Sequence, residues 1–221
     1  MFRVRFLYDP ERDADNLIRG ARSVNNPAPT KLQSEFLAVH GPGYDPGAVR
    51  TFLADHARDS GFDGSALAAG LAEAWSAVED EFFTRAGRMF PTAPSLAPVT
   101  AYLTTNQRCT YDIEAGYFFV NPRSPSPVRI VMHELLHFYT WFAHAPELFA
   151  LGVSEAVYND VKESLTELLN LEFADLMPGA RDDGYPQHAA MRDVVRSSWL
   201  AHRDVRRTMF DALALPIPTS R

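Results

Sequence analysis

Apolar residues recur at helical spacing through most of this chain, and only three short stretches read as strands. Asp45-Pro46 opens a helix to about Arg58, with Val49, Phe52, Leu53 and His56 on one side, and Gly61–Gly64 ends it. A longer helix is expected from Ser65 to Met89, carrying Leu67, Leu71, Trp75, Val78, Phe82 and Phe83. Ser126-Pro127 is a start signal, and Val131, Met132, Leu135, Leu136, Phe138, Tyr139 and Phe142 then make the buried back of a helix that stops before Pro146. Ser154 can cap Glu155–Leu176, closed by Pro178-Gly179, and the last helix runs from Pro186 to Leu213. Residues 9–45 show only a short helical pattern around Asn16–Arg22. The remainder there, with Asn25-Asn26-Pro27-Ala28-Pro29 and Gly41-Pro42-Gly43, reads as surface connections.

Phe2–Tyr8 alternates as a strand does, and Val99–Cys109 and Gly116–Val120, rich in Thr, Tyr, Phe and Val, read as two more, joined through a turn in Tyr111–Gly116. The pattern predicts an α+β fold, mostly helical, with a small antiparallel sheet packed on the 128–142 helix and further helices on either side. Phe90-Pro91-Thr92-Ala93-Pro94 reads as a linker between a mainly helical N-terminal region, 1–92, and a second region, 93–221.

At 221 residues the chain is large enough for one sizeable core. Its net charge of −7 argues against broad binding to nucleic acid or an anionic membrane surface. Cys109 is the lone cysteine, so no internal disulfide can form. The N-terminus lacks the continuous apolar segment of a signal peptide and no run is long enough to span a membrane, so the expected location is the cytoplasm.

The chemistry lies in His133-Glu134-Leu135-Leu136-His137. Histidines four apart on a helix differ by about 40° around its axis, so both imidazoles can reach one ion. Glu134 projects to the edge of that face, where it can touch a metal-bound water without ligating the metal. A carboxylate on such a helix is costly to bury alone, and a metal site supplies the missing partner. The pattern is that of a Zn2+ hydrolase. His144 shares the face but lies about 10 Å further along an unbroken helix, too far for shared coordination. His40 and His56 are isolated, and His202, on the apolar stripe of the last helix, reads as a core histidine.

The 155–176 helix carries a polar stripe, Asn159, Glu163, Thr166, Glu167 and Asn170, opposite its apolar one. Its Lys162-Glu163-Ser164-Leu165-Thr166-Glu167 resembles the Asn-Glu-x-x-Ser-Asp element of the thermolysin-like gluzincin peptidases. The resemblance spans roughly residues 99–176. It implies Glu163 as third zinc ligand and Glu167 as the carboxylate that braces His133, with Glu167 as ligand the rival assignment. Lys162 stands where that family has Asn, and the Gly-x-Met-Glu-Asn exopeptidase element is absent, so the likeness points to an endopeptidase acting on peptides or proteins. It also implies a Tyr or His from a later segment at the oxyanion. Tyr185 and His188 are the candidates, although both equally fit a surface turn and a helix start. Glu134 would be the general base. Two rival readings stand beside the enzyme: a catalytically silent zinc-holding interaction module, and a metal-free helical domain with a buried polar network.

Overall fold

The computed structural model describes residues 4–23, 28–91 and 98–215. The expected features at Phe2–Arg3, Asn25–Pro27 and Thr92–Pro94 lie outside those residues. The fold is α+β and mostly helical. The chain divides into two compact units, one of Met1–Ala77 with Leu96–Val131, the other of Val78–Ser95 with Met132–Arg221. This differs from the division expected at residues 92 and 93. Strand pairing draws the N-terminal strand to the middle of the chain, and the helix before the linker packs with the C-terminal half.

The first unit holds a four-stranded sheet in the order β1-β2-β4-β3, with β1 Val4–Tyr8, β2 Val99–Leu103, β3 Tyr111–Asp112 and β4 Tyr117–Val120. The sheet is mixed rather than antiparallel. β1 runs parallel to β2 and β2 parallel to β4, while only β3 is antiparallel to its neighbour β4. Alternation reports which face a residue takes, not the direction of the strand. Direction is decided by the 104–110 segment, which α1 (Pro10–Ala21) holds away from a hairpin path. Asp13, fully buried, accepts from Thr104 Oγ1 at 2.6 Å, Thr105 N at 3.1 Å and Thr105 Oγ1 at 2.8 Å. Asn16 donates to Thr104 Oγ1 at 2.8 Å and to the Arg108 carbonyl at 2.9 Å. The tight turn instead joins β3 to β4, where Gly116 takes φ +72°.

The 9–45 region holds more helix than its pattern suggests. Asp9 caps α1, with Pro10 at its first position. Thr30 and Gln33 form a reciprocal capping box for α2 (Lys31–His40). With α3 (Pro46–Asp59) these helices bury Ala14, Leu17, Leu32, Phe36, Val49 and Leu53 as one cluster. The expected Ser65–Met89 helix is two, α4 (Gly64–Ser76) and α5 (Glu79–Met89).

In the second unit, α5 meets the C-terminal half through Phe82 on Phe173, ring centroids 5.0 Å apart, and Arg85 bidentate on Asp175 at 2.6 and 2.8 Å. The motif helix α6 spans Pro127–Ala150, so Pro146 sits inside it rather than beyond its end. A proline there removes one backbone hydrogen bond at a cost of roughly 3 kcal/mol. The buried Ala145 and Leu148 beside it supply packing that offsets the loss. The next helix breaks at Thr166 into α7 (Glu155–Leu165) and α8 (Glu167–Glu172). The last breaks at Arg203, left-handed with φ 53°, into α9 (Ala189–His202) and α10 (Val205–Leu213). His202 is exposed, not in the core. No helix among the described residues is long and apolar enough to cross a membrane.

Replacing Asp13 with Ala leaves buried hydroxyl and amide donors without their acceptor. The expected loss is about 2–4 kcal/mol of unfolding free energy, measured by urea denaturation of the full chain.

Candidate metal centre

Two helices of the second unit bring the chemistry together. α6 presents His133 and His137 one turn apart, their ring centroids separated by 4.5 Å and their planes by 77°. α7 presents Glu163 between them. One carboxylate oxygen lies 3.5 Å from His133 Nε2 and the other 3.3 Å from His137 Nε2. The donor atoms of these three residues all fall within 4.8 Å of one another. Glu134, next to His133, is 6% exposed, and its Oε2 is buried without a hydrogen-bond partner among the described residues.

His133 is oriented from behind. Its Nδ1 lies 2.8 Å from Asp182 Oδ2, which fixes the ring with Nε2 facing Glu163. Asp182 is itself 1% exposed and held on every side. The Thr166 hydroxyl lies 2.9 Å from its Oδ1, and Arg192 Nη1 lies 3.3 Å from the same oxygen. Asn170 accepts from the Asp182 backbone N–H at 2.9 Å and donates to its carbonyl at 2.8 Å. Arg192 also donates to Glu167 Oε2 at 2.7 Å, and Arg196 pairs with Glu167 Oε1. Gly184 admits this packing. It takes φ +64°, and a Cβ there would stand 2.6 Å from Arg192 Nη1.

The partner of His133 Nδ1 is therefore Asp182, and Glu167 does not take the bracing role that the resemblance implies. The helix ends at Thr166 and restarts with Glu167, whose carboxylate turns to Arg192 and Arg196. Glu167 acts on the centre only at a remove, through Arg192 to Asp182 to His133. Arg192 is 6% exposed and sits in the middle of this chain of charges. Asp182 lies in a loop with no helical period to mark it. The one available signal is a buried cation needing a second anion, and a sequence does not show burial of that kind.

The other candidates make contacts of their own. His144 packs beside Phe90, ring centroids 6.0 Å apart. His188 Nε2 lies 3.0 Å from Asp160 Oδ1, three residues before Glu163 on α7. Tyr185, 44% exposed, meets the His188 ring edge-on at 5.8 Å.

Electrostatics follow from burial and these contacts. Burial pushes the Glu134 carboxyl up to about 7, with the Glu163 charge adding to the rise and His133 opposing it. Burial also opposes ionisation of Glu163, but His137 and His133 hold its carboxyl far below the usual range. Burial, with Lys162 adding, lowers His137 to about 3. Burial works against a charged His133 as well, yet hydrogen bonds to Asp182 and Glu163 prevail and raise it to about 10. Two imidazole nitrogens and one anionic carboxylate converge as a group that could hold a metal ion, beside the buried Glu134 Oε2. No family model, characterised protein or solved structure matches this chain; the functional reading rests on the site itself.

Asp182→Ala is expected to weaken zinc binding by about 10–100-fold, because His133 loses its brace. Glu167→Ala is expected to lower stability by about 2–4 kcal/mol, through Arg192 left half-paired, with a smaller effect on zinc. Chelator competition and urea denaturation on both variants separate the two roles.

Proposed function

We propose that this chain is a zinc-dependent endopeptidase of gluzincin type, with His133, His137 and Glu163 as the metal-holding residues and Glu134 as general base. The observation that carries this reading is the Glu163 carboxylate set between two imidazoles, with the buried, unpartnered Glu134 Oε2 beside them. A zinc ion held there would make a coordinated water acidic near neutral pH and polarise a bound carbonyl.

The chain's own residues account for the proton. Burial, which raises the Glu134 carboxyl, makes it a better base for taking a proton from the attacking water. Its Oε2 receives that proton and returns it to the amine as the peptide bond breaks. His133 keeps its orientation because Asp182 fixes its Nδ1, and Asp182 is fixed in turn by Thr166, Asn170 and Arg192. Tyr185 and His188 are the candidates for stabilising the oxyanion, and the exposed Tyr185 is the more available to substrate. The substrate class is a peptide or protein.

Glu134→Gln keeps the shape of the side chain and removes its basicity. The expected result is zinc content equal to wild type with peptide cleavage reduced by about 10²–10⁴-fold. Chelation should abolish cleavage by the wild type, and added zinc should restore it. Zinc retained by both proteins with no cleavage of a peptide library by either supports the silent module instead.

A further inference from the structure

We infer that Lys162 is a built-in counter-ion of this centre, holding Glu163 in place in the metal-free protein and competing with the metal for that carboxylate. This deepens the metal reading above and rests on it. Lys162 immediately precedes Glu163 on α7, and its side chain is 1% exposed. Its Nζ lies 3.3 Å from Glu163 Oε1, the same oxygen that lies 3.3 Å from His137 Nε2. The Lys162 charge also acts on Glu134 and on His137. One ammonium therefore stands among three of the four residues assigned to the centre.

An ammonium is costly to bury and persists only where an anion answers it. The same energetics bind Glu163, whose largely covered carboxylate, 17% exposed, lies beside a second carboxylate, Glu134. These two anions repel each other, and the His133 imidazolium answers Glu163 from one side only. Lys162 adds a second cation at Glu163 Oε1, so the metal-free protein keeps its ligands assembled. The cost falls on loading: a dication drawn to Glu163 Oε1 meets an ammonium already on that oxygen. Zinc is then held more weakly than two imidazoles and a carboxylate would hold it alone, and occupancy follows the metal supply. At 1% exposure the ammonium is too deeply buried to meet a substrate, so Lys162 is a positioning residue.

The test uses the full chain, stripped with a chelator, as wild type, Lys162→Met and Lys162→Arg. Two quantities are measured: the zinc dissociation constant, by competition with a chromophoric chelator, and the melting temperature of the metal-free protein. Lys162→Met is expected to bind zinc about tenfold or more tightly than wild type. Its metal-free form is expected to melt roughly 5 °C or more lower, with the gap closing on zinc addition. Lys162→Arg keeps the charge and should stay near wild type in zinc affinity. Recovery of folded Lys162→Met only when zinc is present during expression also supports the inference. Unchanged or weaker zinc binding by Lys162→Met overturns it, as does tightening by Lys162→Arg equal to that by Met. Failure of Lys162→Met to fold even with zinc overturns it too, because the fold rather than the metal-free centre would then need the lysine. Zinc absent from the wild type removes the metal reading and this inference together. Zinc on the wild type with Lys162→Met unchanged removes this inference alone.

Discussion

A carboxylate, that of Glu163, lies within 3.5 Å of two imidazoles and within 3.3 Å of a buried ammonium. A network of buried charges in the second unit is built outward from that arrangement. A buried anion is tolerable only beside compensating charge, and each compensating group needs a partner of its own. His133 finds Asp182, Asp182 finds Arg192, and Arg192 finds Glu167, which Arg196 also meets. The charges run from the centre of the unit to its surface, where Arg196 is 37% exposed.

The helices serve this chain of charges through their ends as much as their faces. α6 is long and continuous, and its buried Val131, Met132, Leu135, Leu136 and Phe138 fix the direction in which both histidines point. α7 stops at Thr166, and that interruption does two things. It frees the Thr166 hydroxyl to meet Asp182, and it turns Glu167 toward the arginines of α9. An unbroken helix would keep Glu163 and Glu167 on one face, aimed at the same histidines. The break divides their tasks: one carboxylate faces the imidazoles, and the other braces the structure behind them.

What could be read from the sequence follows from how locally each feature is encoded. The spacing of His133 and His137 is a property of one helical turn, and helical phase put Glu163 on a polar stripe opposite a core stripe. Both require only periodicity. Asp182 sits in a loop and reaches His133 across 49 residues, so no local pattern marks it. Arg192 was indistinguishable from its neighbours Arg203 and Arg207, which are surface residues; its burial depends on Gly184 and Asp182 arriving from elsewhere. Sheet direction failed for a related reason. Alternation fixes the faces of β2, and β4 is buried throughout, but neither pattern carries direction; Asp13 and Asn16, some ninety residues earlier, hold the 104–110 segment between them. The capping box at Thr30 and Gln33 is, by contrast, encoded locally, but the apolar run beside it is short and gives a weak helical period.

The central claim is that two neighbouring helices, one giving a pair of imidazoles and the other a carboxylate, close around a single cation. X-ray absorption at the zinc edge, on the full chain loaded with one equivalent, tests it most directly. The account predicts a four-coordinate ion with two imidazole nitrogens and two oxygen donors at about 2.0–2.2 Å, losing one oxygen contribution from protein in Glu163→Ala. A spectrum with fewer than two imidazoles, or one unchanged by that substitution, contradicts it.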